Sequence, residues 1–261
     1  MKVDIKDKVA IVTGAAMGIG RRTAELLAAN GAQVIVADID DAQAKATAAE
    51  IPGALSLRMD VSDEAAVTAG IDWVGSRYGK IDILINNAGI NTGKHRVTID
   101  EFPVTEWDRI MAVDLRGLFL VSRAVSAVML RHGSGRIVNV SSVLGVVPAR
   151  LQCAFTAAKA GVVHLTRTMA IELGARGILT NAVAPGSVLT AGTEALFYGK
   201  DALQSDRAQR LLAHIPMGRP AHVDEIANVT LFLVAPESSY INGQTLCVDG
   251  GWSAGGFLRD F

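Results

Sequence analysis

Short runs of β-branched and other apolar residues alternate along the chain with longer stretches rich in alanine and leucine. Several short runs are apolar at consecutive positions, which is typical of parallel strands buried on both faces. The pattern predicts strands at residues 9–13, 34–37, 55–59, 83–86, 136–140, 179–183 and 244–248, and the longest helices at 106–131 and 153–175. We therefore expect an α/β fold with a doubly wound parallel sheet flanked by helices.

One segment breaks this alternation. Residues 185–220 form a long stretch of mixed polarity with weak helical character, which indicates a lid or substrate loop. The chain of 261 residues shows no linker and lies at the upper end of the length of one α/β domain. We therefore expect residues 1–261 to form a single domain.

Composition and charge restrict the class of partner. Half of the residues are hydrophobic, the net charge is −1, and Lys and Arg are scattered, which argues against nucleic acid or an anionic membrane. Cys153 and Cys247 are far apart without a second pair, so we expect neither a disulfide framework nor a metal site. The sequence has no signal-peptide stretch and no run approaching roughly 18 apolar residues, so we expect a soluble, cytoplasmic protein.

A glycine-rich loop, Thr-Gly-Ala-Ala-Met-Gly-Ile-Gly, follows the first predicted strand and precedes a helix. Glycines here allow a tight turn and a close approach of the backbone to a pyrophosphate, and the helix N-terminus offers unpaired N–H groups. The sequence therefore predicts a dinucleotide site that includes Gly14, Met17, Gly18, Ile19 and Gly20.

Asp38 ends the second predicted strand. A carboxylate there can accept hydrogen bonds from both hydroxyls of an adenosine ribose, and it repels the 2′-phosphate of NADP. Met17 brings no positive charge for that phosphate. We therefore predict NAD as the cofactor; the alternative is that Asp38 merely caps the next helix.

Phe155 and Lys159 are four residues apart in an alanine-rich predicted helix, so their side chains share one face. Taken alone, this spacing is typical of core packing. Its meaning depends on the motifs that surround it.

These motifs resemble, in order and over essentially the whole chain, those of the short-chain dehydrogenase/reductase family. The matching segments are residues 13–20, Asp60-Val61, Asn86-Asn87-Ala88-Gly89, Asn139-Val140-Ser141-Ser142 and Pro185-Gly186-Ser187-Val188-Leu189-Thr190. Ser142 precedes Phe155 by the spacing that separates the family's catalytic Ser and Tyr.

The resemblance implies a Rossmann-type fold with strand order 3-2-1-4-5-6-7 and hydride transfer between a cofactor and an alcohol or ketone. It assigns Ser142 to the substrate oxygen and Lys159 to the nicotinamide ribose. The further cofactor-binding residues that it implies are Asp60, Val61, Asn87, Ala88, Gly89, Pro185, Gly186, Val188 and Thr190.

Two positions depart from the family pattern. Asp114 stands where the family usually has Asn, whose main-chain carbonyl holds a water that links the Lys to solvent; we expect this relay to tolerate the change. Phe155 replaces the Tyr whose phenol, with its pKa lowered by the Lys, exchanges a proton with the substrate. A benzyl side chain cannot do so.

Three explanations of Phe155 stay open. The chain is an engineered inactive variant, a natural enzyme with reduced activity or a substitute acid, or a natural NAD-binding protein that acts as a sensor or interaction partner. The intact glycine loop, Ser142 and Lys159 favour a working ancestor.

Substrate is expected over the carboxyl ends of the strands, near the crossover of strand order. The expected walls are the segment 185–220 with Ser142, Val143, Leu144, Gln152, Cys153 and Ser187. Polarity from Gln152, His95 and Arg150 favours a polyol or sugar over the alternative, a 3-oxoacyl thioester.

The tail, residues 252–261, carries Trp252, Phe257, Leu258 and Phe261. Leaving these apolar side chains in water is costly, at about 25 cal/mol per Å². Since the resemblance implies a tetramer, we expect a homotetramer whose tail packs on a neighbouring subunit; the alternative is a tail folded onto its own subunit.

Overall fold

A computed structural model describes residues 1–93, 95–190, 193, 209–210 and 212–255, and these residues contain one sheet of seven parallel strands. The strands are β1 Val9–Thr13, β2 Gln33–Asp38, β3 Leu55–Arg58, β4 Ile83–Asn86, β5 Gly135–Val140, β6 Ile178–Pro185 and β7 Thr245–Val248. Their order is β3-β2-β1-β4-β5-β6-β7. The predicted fold and strand order are confirmed, and β6 extends further than predicted, to Pro185.

Helices cover both faces of the sheet. They are α1 Gly18–Ala29, α2 Asp41–Glu50, α3 Glu64–Tyr78, α4 Val104–Met111, α5 Leu118–His132, α6 Cys153–Gly174 and α7 Val223–Val234. Strand β2 illustrates the two cores, because Val34 and Val36 pack in one hydrophobic cluster and Ile35 and Ala37 in the other. The consecutive apolar positions of the strands follow from this double burial.

The predicted helix at 106–131 is present as unbroken helical backbone from Val104 to His132, which is α-helical at both ends and π-helical in the middle. Between α4 and α5 the chain forms a π-helical segment, Ala112–Gly117, which contains Asp114. Gly117 packs so closely on Val61 that an added Cβ would lie 2.8 Å from Val61 Cγ2. In this segment Asp114 points into the interior, where it is 1% exposed, and such π segments are frequent at functional sites.

A chain of buried polar side chains crosses the interface between the sheet and helices α5 and α6. The Asn86 amide donates to Ser122 Oγ at 2.8 Å and to Asn139 Oδ1 at 2.9 Å. Asn139 in turn donates to Thr166 Oγ1 at 2.9 Å. Because buried polar groups must be satisfied, these bonds fix the register of both helices beside the site.

The predicted substrate loop and tail fall partly outside the described residues, namely at 191–192, 194–208, 211 and 256–261. Within the described part of the chain, no helix is long and apolar enough to cross a membrane. The same residues contain no group of His, Cys, Asp and Glu arranged to hold a metal ion.

Asp82 joins the amino ends of β1 and β4. Its carboxylate accepts the Val9 N–H at 2.9 Å and lies 3.1 Å from the ammonium groups of both Lys8 and Lys80. Burial raises the pKa of Asp82, but the Val9 N–H and the two ammonium groups outweigh burial, so the pKa is lowered overall. The carboxylate is therefore held in its charged form.

We predict that Asp82→Asn lowers the free energy of unfolding by about 1–3 kcal/mol at pH 7, because it removes a charge-assisted hydrogen bond. A lowered pKa in the folded state gives stability that is present above the unfolded pKa of about 3.9 and is lost as pH falls through the folded value. Denaturant melts of both proteins at pH 7, 4 and 3 should therefore converge towards pH 3. Asp72→Asn, which removes an exposed carboxylate with no ion pair among the described residues, is the control. A constant gap between parent and Asp82→Asn would contradict this account.

Candidate active site

The glycine loop between β1 and α1 packs backbone to backbone against the chain that follows β4. Gly14 has a φ of +61°, and a Cβ there would lie 2.7 Å from Ala88 Cα. The Asn87 side chain donates to the carbonyls of Thr13 at 3.0 Å and Gly14 at 2.8 Å. Glycine is therefore required by both conformation and space.

The N-terminus of α1 is open to a ligand. Its N-cap, Met17, is extended and makes no side-chain capping bond, which leaves the first N–H groups of the helix for an anion. Gly18 has a φ of +59° and faces Thr190, so that a Cβ would lie 3.6 Å from Thr190 Cγ2. The predicted phosphate-binding loop and the segment after β6 thus lie opposite each other.

Asp38 lies at the rim of this loop. Its Oδ2 accepts the Ala16 N–H at 2.9 Å, and its Oδ1 accepts the Asp40 N–H at 3.0 Å. The residue that caps α2 is Asp40, whose side chain accepts the Gln43 N–H at 3.1 Å. The interpretation of Asp38 as a mere helix cap is therefore wrong.

Asp60 and Val61 follow β3. Asp60 Oδ1 accepts from the Ser62 N–H at 2.9 Å and from Ser62 Oγ at 2.7 Å, while Val61 is buried against Gly117. Both residues are fixed near the sheet edge. Their contact with adenine stays a prediction.

A cavity of about 330 Å³ lies at the carboxyl ends of β5 and β6 and joins predicted cofactor residues to predicted substrate residues. Its described lining is Ile19, Asn91, Arg96, Val140, Ser141, Ser142, Val143, Leu144, Ala149, Gln152, Phe155, Pro185, Gly186, Ser187, Val188, Thr190, Thr193 and Trp252. A cavity of about 410 Å³ at the amino ends of the strands, beside Asp82 and Arg136, contains none of the predicted site residues.

The cavity corrects part of the predicted substrate wall. Gln152 lines it, and Gln152 Oε1 is buried without a hydrogen-bond partner among the described residues. Cys153, the first residue of α6, does not line it, because one position along a helix turns a side chain by about 100°. His95 and Arg150 are exposed and do not line it either.

Sequence reasoning missed Asn91, Arg96, Ala149 and Trp252 among the lining residues, whereas Thr193 lies within the predicted wall segment 185–220. Among the described lining residues, Arg96 is the one with a charged side chain. No motif spans residues 91–96, so nothing in the sequence singled out Arg96 over its neighbours. Trp252 could have been found from its place directly after Gly250-Gly251.

Ser142 and Phe155 meet in this cavity. Ser142 Oγ accepts the Leu144 N–H at 3.1 Å and keeps its own proton to donate. The Phe155 ring is 8% exposed and carries no polar atom. At these two predicted catalytic positions, the cavity therefore has a hydroxyl that can donate a proton and a benzyl group that cannot.

Lys159 lies behind Phe155 and is not among the described lining residues. Its Nζ is 5.7 Å from the Phe155 ring centroid, donates to the Val140 carbonyl at 3.2 Å, and lies 3.1 Å from Asp114 Oδ2. Asp114 therefore contributes more than its main-chain carbonyl, because its side chain forms an ion pair with Lys159. Whether Lys159 binds a cofactor ribose stays a prediction.

Comparisons with known proteins agree with this geometry. A family model described as Enoyl-(Acyl carrier protein) reductase matches residues 14–253. The trans-4-hydroxycyclohexanecarboxylate dehydrogenase of Sinomonas cyclohexanicum is 38% identical over an alignment of 265 positions that covers 98% of this chain and 96% of the relative. The 3-oxoacyl-[acyl-carrier-protein] reductase FabG of Thermotoga maritima is 39% identical over 251 residues, 95% of this chain and 98% of the relative. The crystal structure of levodione reductase has a TM-score of 0.90 at 37% identity and covers 95% of this chain and 98% of that chain.

We predict that Gly20→Ala weakens NADH binding and lowers stability by about 1–3 kcal/mol, because a Cβ there overlaps Gly14 O and Asn87 Nδ2. Gly75→Ala is the matched control. It lies inside α3 with nothing within 4 Å of the added Cβ, so stability should stay equal or rise by about 0.5–1 kcal/mol. Fluorescence titration with NADH and denaturant melts measure both effects. A Gly20→Ala protein that behaves like Gly75→Ala would refute the fit of the loop.

Proposed function

The chain belongs to the short-chain dehydrogenase/reductase family, and from this we propose that it is an NAD(H)-dependent oxidoreductase that interconverts a secondary alcohol and a ketone, with chemistry strongly slowed by Phe155. Members of this family use NAD(P) and act on CH–OH groups. One observation carries the proposal: a single cavity brings together Ile19 of the glycine loop, Ser142 and Phe155.

The residues present fit a dinucleotide cofactor. At Gly18, which has a φ of +59°, an added Cβ would meet only Thr190 within 4 Å, and α1 begins without a side-chain cap. The residues proposed to hold the cofactor are Gly14, Met17, Gly18, Ile19, Gly20, Asp38, Asp60, Val61, Asn87, Ala88, Gly89, Lys159, Pro185, Gly186, Val188 and Thr190. When bound, the cofactor supplies hydride transfer.

The chain's own residues bind and orient the substrate. Ser142 donates its proton to the substrate oxygen, since its Oγ already accepts the Leu144 N–H and is thereby fixed. Phe155 can pack against the substrate but cannot move a proton. Loss of a positioned general acid–base costs about 10²–10⁴ in rate, or roughly 3–5.5 kcal/mol of barrier.

A small polar alcohol is the proposed substrate, in preference to a 3-oxoacyl thioester. The cavity of about 330 Å³ is near the lower end of the range for small-molecule sites, and Asn91, Arg96, Gln152 and Ser187 add polar groups to a mostly apolar lining. A relative that acts on a hydroxylated cyclohexanecarboxylate supports this class. The thioester stays the alternative because another relative is a 3-oxoacyl reductase.

A second candidate function is a non-catalytic NAD-binding protein that acts as a sensor or interaction partner. The observation in its favour is the ion pair of Lys159 with Asp114, which occupies the Lys ammonium inside the protein. Turnover by the Phe155→Tyr variant distinguishes the oxidoreductase from the non-catalytic NAD-binding protein.

For assembly we propose a homotetramer of single-domain chains (residues 1–261), with 185–220 as substrate loop and 252–261 as tail. Exposed apolar side chains on the two long helices support this: Phe119 on α5 is 46% exposed and Ile171 on α6 is 82% exposed. Leaving such residues in water is unfavourable, and a second copy would cover them.

We predict that NADH binds at least about tenfold more tightly than NADPH, a difference of roughly 1.4 kcal/mol. The reason is that the Asp38 carboxylate would meet the 2′-phosphate. Arg58, its neighbour on β3, is exposed and makes no ion pair with it among the described residues. Fluorescence titration with both cofactors measures the ratio, and Asp38→Asn should reduce it. Equal affinities for NADH and NADPH would contradict the role given to Asp38. If Arg58→Gln then made the two affinities unequal, Arg58 would be the residue that decides between the cofactors.

We predict that Phe155→Tyr raises kcat/KM by at least about 10² with NAD, because it restores the missing acid. The assay uses trans-4-hydroxycyclohexanecarboxylate and a panel of polyols, followed by NADH absorbance. Phe155→Leu, which has no hydroxyl, is the control and should stay inactive. A Phe155→Tyr protein that is inert across the panel but binds NADH would favour the sensor, and strong turnover with Phe155 in place would point to another acid.

A further inference from the structure

The two positions that depart from the family pattern lie next to the same lysine. Lys159 Nζ is 3.1 Å from Asp114 Oδ2 and 5.7 Å from the Phe155 ring centroid. The Lys159 side chain is 7% exposed and the Asp114 side chain 0%. The ammonium and the carboxylate therefore form an ion pair by distance in the protein interior, without a well-aligned hydrogen bond to Oδ2 among the described residues.

Few other groups reach this pair. Lys159 donates also to the Val140 carbonyl at 3.2 Å, and Asp114 Oδ1 accepts the Ile90 N–H at 2.8 Å. Gly89 lies against both side chains, and a Cβ there would lie 3.1 Å from Nζ and 3.2 Å from Oδ2. Among the described residues, Asp114 is the acid that pairs with Lys159.

A buried ammonium is stable only with a compensating partner, and removing one member of a buried pair leaves an uncompensated charge. A phenol at position 155, one helical turn away, would offer an oxygen to this region. The benzyl group offers only the face of its ring, which is a weaker partner for a cation.

We propose that Asp114 and Phe155 form one coupled change, in which Asp114 is a positioning residue that supplies Lys159 with the partner a tyrosine would supply and holds its ammonium away from the cavity. The catalytic part of this inference rests on the proposed function, whereas the stability part does not.

A double-mutant cycle tests the coupling without any substrate. It compares the chain as it stands with Asp114→Asn, Phe155→Tyr and the double variant. Beside Phe155, Asp114→Asn should lower the thermal midpoint by about 6–15 °C. In the Phe155→Tyr background, Asp114→Asn should lower the thermal midpoint by less than half as much. Equal shifts in both backgrounds, or no shift, overturn the proposal.

The affinity for NADH gives a second measurement. If Asp114 had only a structural role, Asp114→Asn would not tighten NADH binding. If Asp114 withholds Lys159, then Asp114→Asn should tighten NADH binding about threefold or more, and Lys159→Met should abolish the gain. In the Phe155→Tyr background, Asp114→Asn should raise kcat/KM further, by about tenfold. Weaker or unchanged NADH binding in a folded Asp114→Asn protein refutes the withholding of Lys159.

Two further variants control for folding. Asp114→Asn/Lys159→Met removes both charges, so it should recover most of the midpoint lost in Asp114→Asn alone; if it does not, the pair is not the cause. Asp72→Asn removes an exposed carboxylate and should leave every value unchanged. If the cycle shows coupling while no variant that carries Phe155→Tyr turns over any alcohol, the proposed function fails and the coupling stands.

Discussion

The approach of two strand ends, backbone against backbone, determines the rest of the site. Gly14 after β1 and Ala88 after β4 are so close that no side chain fits between them. Asn87 fastens the two segments with bonds to the carbonyls of Thr13 and Gly14. The same short segment then places Gly89 against Lys159 and Asp114, and the Ile90 N–H binds the Asp114 carboxylate. The glycine loop and the buried lysine are thus positioned by one contact.

Binding and chemistry are separable in such an arrangement. The groups expected to hold a nucleotide are backbone amides and glycines at strand ends, which depend on the sheet and not on position 155. The groups expected to take part in proton transfer are single side chains, namely Ser142 after β5 and the side chains on α6 and the π segment. A change there can remove the chemistry and leave the binding surface as it was. This explains how an intact glycine loop coexists with a benzyl group in the cavity.

The sheet and the cofactor loop were predictable because their signals are local. Buried parallel strands require consecutive apolar residues, and a tight turn at a phosphate requires glycine at fixed spacing, so β1 to β7 and residues 13–20 could be recognised. The partner of Lys159 could not, because the π segment that carries Asp114 packs through Gly117 on Val61, which is distant in sequence. Arg96 likewise lines the cavity because of how distant segments pack, which no local pattern shows. Cys153 does not line it, because neighbouring positions on a helix point in different directions.

The contact of Gly89 with the ion pair also bears on how such a chain can change over evolutionary time. Under the coupling proposed above, a change at position 114 or 155 alone gives a less stable protein than the chain as it stands. With Phe155 in place, Asp114→Asn leaves the buried Lys159 ammonium without its acidic partner. With Asp114 in place, Phe155→Tyr introduces a phenol that competes with Asp114 for the same ammonium. A substitution at Gly89 does not relieve this constraint, because the Cβ of any larger residue would crowd Lys159 Nζ and Asp114 Oδ2. Under the proposed coupling, the two positions around Lys159 therefore have to change together, while the fold and the cofactor loop stay as they are.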